Sequence, residues 1–210
     1  MASRGRGVTA VADFTAVLGV SRALQRTLTA ALSAIDGDAP PEVRLDDLQP
    51  PPQGGGAVLT IFLYEITEDH TVRNRDPQRV LETAQGEQRY RLTRSPMPLV
   101  LRYLVTAYAP DRATEQLMIG RTMQALYERQ VRRGADLDPE LDLPLLSITL
   151  APLTLEERAR VWWAIQQPFR LSLNYEVRVV DIDVSGSVLG VHPPVREREF
   201  VGTLGRGGPP

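Results

Sequence analysis

The sequence predicts an α/β (α+β) domain: a single mixed, mainly antiparallel β-sheet flanked by about three α-helices, with a flexible C-terminal arm. Three observations carry this. From Arg170 to Asp183 the residues alternate, with Leu171, Leu173, Tyr175, Val177 and Val179 on one face and Ser172, Asn174, Glu176 and Arg178 on the other. That is the period of a long, half-buried strand. Near the start, Phe14, Val17, Leu18, Leu24, Leu28, Leu32 and Ile35 recur at helical spacing. After Asp183 the composition turns to Ser, Gly, Pro and charge, which divides the chain into a domain at 1–184 and an arm at 185–210.

Taken in order, the first helix runs over about residues 9 to 35, with Ser21 and Gln25 on its apolar stripe, and Asp36-Gly37-Asp38 ends it. Pro40-Pro41 leads into a short strand, Glu42 to Leu48. Gln49 to Gly56 is a loop, because it offers no core side chain and its prolines lack a backbone donor. Ala57 to Thr67 is apolar on both faces, as expected of an interior strand. The polar stretch Glu68 to Pro96 reads as a long connection containing an insert at 78–94. Pro98 to Tyr108 is a third strand, and Asp111 caps a helix running to about Arg129. Leu145 to Leu150 is a fourth strand. Thr154-Leu155-Glu156-Glu157 is a capping box that opens a helix carrying Trp162 and Trp163 and ending before Pro168, where the last strand's lead-in begins.

At 210 residues and 42% hydrophobic content the chain supports one domain with a sizeable core. The absence of cysteine excludes disulfides, thiolate zinc sites and a cysteine nucleophile. A formal charge of -2 offers no concentrated basic surface, so neither nucleic acid nor an anionic membrane is an expected partner. All 24 basic residues are arginine, which a GC-rich genome accounts for, although arginine is also the cation suited to bidentate contacts with carboxylates. The N-terminal apolar run is broken by Asp13, Arg22 and Arg26, so it is neither a signal peptide nor a membrane span, and the expectation is cytoplasmic assembly.

No motif assembles a catalytic centre: there is no nucleophile elbow, no phosphate loop ending in Lys-Ser/Thr and no H-E-x-x-H pair. The expectation is therefore no catalytic residue, no cofactor and no metal. The nearest approach to a constellation is Asp69 and His70 after the second strand with Asp181 and Asp183 at the end of the last. Those four would suit a small metal-dependent hydrolase; the plainer reading is a solvated strand end and a polar loop. Trp162 and Trp163 lie about 100° apart on their helix, so both cannot face the core, and one is a candidate interface anchor.

Four stretches, in one order, resemble a known family. They are Leu63-Tyr64 with Arg73-Asn74 downstream; Pro98-Leu99 with Tyr103-Leu104 and Thr106-Ala107-Tyr108; Ile119-Gly120 with Met123, Ala125 and Leu126; and Trp162, Pro168, Phe169, Leu171, Ser172, Tyr175 and Val177. Together they are similar to the cap, or tail-terminator, proteins of phage-tail-like contractile injection systems, the Pvc-type cap N-terminal domain family of antifeeding-prophage-like particles. The resemblance covers roughly residues 8 to 184, and the insert and the short tail depart from it. It implies a non-enzymatic structural part: a ring of copies, hexameric by analogy, that closes the inner tube at the end distal to the baseplate and holds the last sheath ring. The implied partners are the tube protein, the sheath protein and further copies, within a particle of a kind released from cells. The rival readings are the hydrolase above and an assembly adaptor of the same gene cluster that never enters the particle.

In the arm, Val195 to Val201 alternates arginine with glutamate and ends in two apolar residues. Such a segment buries too little surface to fold alone but suits addition to the edge of a partner's sheet. Arg196, Arg198, Phe200 and Val201 therefore join Trp162 and Trp163 as candidate interface residues.

Overall fold

The computed structural model describes residues 15–35, 39–52, 55–72, 78–84, 87–93, 97–128, 131–132, 145–182 and 188–192. Its elements are α1 (Ala16–Leu32), β1 (Glu42–Leu45), β2 (Val58–Glu68), β3 (Gln78–Ala84), β4 (Glu87–Thr93), β5 (Met97–Tyr108), α2 (Arg112–Tyr127), β6 (Val131–Arg132), β7 (Leu145–Leu150), α3 (Leu155–Ala164), β8 (Ser172–Ile182) and β9 (Val188–His192). The chain divides into two compact units, Met1–Arg75 with Pro96–Ser185, and Asp76–Ser95 with Gly186–Pro210.

The first unit is built on a sheet of order β1-β2-β5-β8-β7-β6, in which β1 and β2 are parallel and every other pair antiparallel. This is the mixed, mainly antiparallel sheet that the alternation predicts. Alternation also decides what covers each face. Leu59 and Ile61, Leu101, Tyr103 and Val105, Tyr175 and Val177, and Leu146 and Ile148 all point one way and form a single core with α1 and α2. The two polar residues on the stripe of α1 have work to do there. The hydroxyls of Ser21 and Tyr103 hydrogen-bond across 2.9 Å, and burial pushes the Tyr103 phenol up to about 12. Gln25 Nε2 donates to the Val43 carbonyl at 2.8 Å.

The opposite face is half apolar and half ionic. Leu48, Leu104 and Trp162 are buried there beneath α3, with Phe62, Tyr64, Val161 and Ile165 packed around them. Further along the strands Arg102 reaches Glu65 at 2.6 Å and Glu176 at 3.5 Å, while Arg178 reaches Glu176 at 2.9 Å and Asp69 at 3.0 Å. A break in register between Leu63 and Glu65 makes this row possible: before it Leu63 faces Tyr103, after it Glu65 faces Arg102. Unbroken pairing would set Glu65 opposite Leu101 and turn its carboxylate into the core, so the bulge restores polar residues to the polar face.

The second unit carries a three-stranded antiparallel sheet of order β3-β4-β9. The stretch read as a long connection is thus a hairpin, and Val188–His192, placed in the arm by its composition, is a strand that pairs Tyr90 with His192 and Leu92 with Gly190. Asp183 and residues 193–210, including Arg196, Arg198, Phe200 and Val201, lie outside the described residues. Among the described residues no helix is long and apolar enough to cross a membrane.

Candidate functional site

Local chemistry fixes α3 at both ends. The Thr154 hydroxyl accepts from the Glu157 amide at 3.2 Å, and the Glu157 carboxylate accepts from the Thr154 amide at 2.8 Å, which is the capping box expected from the sequence. At the other end Gln166 adopts φ 56, its amide donates to the Trp163 carbonyl at 3.0 Å, and the Gln167 amide donates to the Trp162 carbonyl at 3.1 Å. This is a Schellman closure with glutamine in the left-handed position that glycine usually fills. The closed helix points its two tryptophans in different directions. Trp162 is 1% exposed, packs edge-on to Phe169 at 6.4 Å and donates from Nε1 to the Ser172 hydroxyl at 3.3 Å. Trp163 is 82% exposed. Of the pair proposed as interface residues, Trp162 is a core residue and Trp163 is the one a partner can reach. Leu155 on the same helix, and Phe169 and Leu171 in the lead-in to β8, are large exposed apolar residues beside it in sequence.

A second apolar surface lies on α2, whose N-terminus is set by Asp111 accepting from the Thr114 amide at 2.9 Å. Met118, Ile119, Ala125 and Leu126 are buried in the core, yet Leu117, Met123 and Tyr127 are exposed, Tyr127 to 73%. A helix that is apolar on both sides has a second surface to cover. Met123 and Tyr127 form a groove of about 260 Å³ with Ile148 and Leu150 of β7 and Tyr175 of β8. The signal in the sequence is the number of apolar residues on this helix, Leu117, Met118, Ile119, Met123, Leu126 and Tyr127, which is too large for one stripe.

The hydrolase reading finds its first residue already engaged. Asp69 is 7% exposed; one oxygen accepts from the Thr71 amide at 3.0 Å and hydroxyl at 2.6 Å, and the other pairs with Arg178. These contacts, the Thr71 hydroxyl foremost, hold its carboxyl below the usual range. His70 is exposed beside it. Asp181 sits in β8, the side chain of Asp181 and all of Asp183 being outside the description. No group of three or more His, Cys, Asp or Glu is placed to hold a metal among the described residues. A third cluster is structural: the buried Glu115 of α2 is paired with both Arg112 and Arg170, and the Arg170 guanidinium lies 4.6 Å from the centre of the Tyr108 ring, tying α2 to the turn before β8.

Against known families, the model of the Pvc16 N-terminal domain matches residues 19–197. The chain belongs to that family. The fold of this chain is also seen in two solved structures similar to it. One is the sheath/tube terminator of an extracellular contractile injection system, PVC, in its extended state, with 24% identity, a TM-score of 0.59 and coverage of 90% of this chain and 65% of that one. The other is the tube-terminating cap of the anti-feeding prophage, with 23% identity, a TM-score of 0.55 and coverage of 85% and 58%. This chain therefore spans less than two thirds of the length of either. No curated protein matches it.

Proposed function

We propose that the chain is a structural cap of a contractile injection system, closing the distal end of the inner tube and anchoring the last sheath ring. The observation that carries this reading is the family match over residues 19–197, because it spans the elements that make both exposed apolar surfaces. Two separate exposed apolar sites, Trp163 on α3 and the Leu117, Met123 and Tyr127 side chains on α2, suit a closed ring of copies, since a head-to-tail contact joins two different surfaces. Six copies is the number the resemblance implies. Tube and sheath proteins are the further partners, and assembly takes place in the cytoplasm before the particle leaves the cell.

The same reading makes the chain a non-enzymatic part. It is supported by the employment of Asp69 in the Thr71 turn and the Arg178 pair. The experiment is deletion of the gene in a strain that makes the particle, followed by electron microscopy of purified tubes. Tubes of uncontrolled length or unstable sheaths are expected, with restoration by the wild-type gene and by Asp69→Asn. Particles of normal length and contractility in the deletion would overturn the cap reading, and rescue lost only with Asp69 and His70 variants of intact fold would return the hydrolase.

A further inference from the structure

The groove on α2 and the exposed tryptophan on α3 belong to opposite sides of the main sheet. Met123 and Tyr127 form the groove with Ile148, Leu150 and Tyr175 on the face that α1 and α2 cover, and every residue lining it is among the described ones. Helix α3 lies over the other face, where Trp162 is held beside Leu48 and Leu104. A six-stranded sheet stands between them, so no chain can seat Trp163 in its own groove. The two fit in size and chemistry. An apolar cavity of about 150 Å³ takes up one benzene ring, so a groove of about 260 Å³ has room for one indole and not for a helix. Two tyrosine rings and a methionine sulfur supply the contacts an aromatic ring prefers. Trp163, at 82%, is the most exposed of the described large apolar side chains, and the exposed Ala159 and Ala164 beside it leave the indole standing clear of its helix.

We infer that Trp163 of one copy seats in the groove of the next, with α3 lying antiparallel to α2; this rests on the cap reading above. Charge fixes the direction. At about 1.5 Å per residue, an indole centred between Met123 and Tyr127 brings Arg160, one turn before Trp163, level with Glu128 if the helices are antiparallel, and level with Thr122, next to Arg121, if they are parallel. Arg160 shares the outer stripe of α3 with Trp163 and pairs there with Glu156 at 2.7 Å, while Glu128 caps α2 and accepts from Gln124 at 3.2 Å. The antiparallel arrangement also sets the carboxyl end of α3, which has no basic residue in its last turn, toward Arg121. A rim pair of this kind adds little affinity and mainly selects orientation. One seated tryptophan buries about 150–250 Å², far below the roughly 1,200 Å² of a stable pair, so the contact belongs to the assembled cap and not to a free dimer. Each copy offers an indole on one side and a groove on the other, which is the heterologous arrangement that closes a ring.

The test therefore uses assembled particles. Free full-length chain and purified particles are exposed briefly to hydroxyl radicals, and oxidation at Met123 and Trp163 is located by mass spectrometry. Each is expected to react on the order of tenfold more slowly in the particle, because a seated contact excludes water. Protection of only one of the two, or of neither, overturns the proposal. Charge reversal then identifies the occupant. In the deletion strain, full-length Arg160→Glu or Glu128→Arg alone is expected to cut the fraction of capped tubes about tenfold, since like charges meet at every contact, and both changes in one chain to restore it. No loss in either single variant, or no recovery in the double, overturns the contact between copies while the cap reading stands. Absence of the chain from the particles, or normal particles without its gene, removes the cap reading and the contact with it.

Discussion

Adjacent tryptophans on one short helix have opposite assignments, and their variants should separate fold from assembly. Trp162→Ala empties the pocket between Leu48 and Leu104 and frees the Ser172 hydroxyl, so a loss of about 3–5 kcal/mol is expected in urea denaturation. Trp163→Asp touches nothing in the core and should stay within about 0.5 kcal/mol of wild type while abolishing capped particles in the complementation assay. Acid behaviour is also set residue by residue. The Thr71 hydroxyl holds the Asp69 carboxyl low, with Arg178 adding to it; the Thr114 hydroxyl does so for Asp111 and the Thr154 amide for Glu157. A carboxylate whose folded value is depressed contributes stability that is complete above its unfolded value, about 4, and is lost as pH falls through the folded one. Stability should therefore show no slope from these groups at neutral pH and fall steeply in acid. Asp69→Asn should cost about 1–3 kcal/mol at pH 7, with the difference narrowing toward pH 2 as the wild-type carboxyl itself gains a proton.

At the scale of elements, two helices hold residues that their own conformation disfavours. Gln166 closes α3 in the left-handed region, so Gln166→Gly should raise stability by roughly 0.5–1 kcal/mol. Gly120 lies mid-α2, where an added Cβ meets nothing within 4 Å, so Gly120→Ala should raise it by about 1 kcal/mol, both read as shifts in the denaturation midpoint. Strand and helix positions were legible in the sequence because a period of two or 3.6 is local information; α1, β2, β5, α2, β7, α3 and β8 all sit where the apolar spacing puts them. The hairpin β3–β4 was hidden because Val80 and Leu81 fall on opposite faces and polar residues surround both, leaving Gln85-Gly86 as the one turn signal. The bulge at Leu63/Glu65 was equally hidden, since which side of β2 turns to the core depends on a partner strand some forty residues away. Of the candidate site, the exposure of one tryptophan was legible from helix geometry. The groove was not, because it belongs to α2 and β7 jointly and neither segment alone describes it.

At the scale of the molecule, the main sheet treats its two margins differently. Beyond β1, Val43 turns its backbone groups outward, since Glu42 spends its amide on Ala57, and Gln25 of α1 occupies the Val43 carbonyl. Pro40 and Pro41 precede that strand and offer no donor. Gln25→Leu keeps the helix but uncovers the carbonyl, and light scattering on concentration should show more self-association than wild type without a change in fold. The opposite margin is β6, a two-residue strand, Val131–Arg132, laid against Leu146 and Ser147 of β7. So short an edge gives a second sheet almost no ladder to join. The two ends of the sheet are thus guarded by different means, a side-chain plug behind prolines at one and brevity at the other, and growth of the sheet by strand addition is disfavoured from either side.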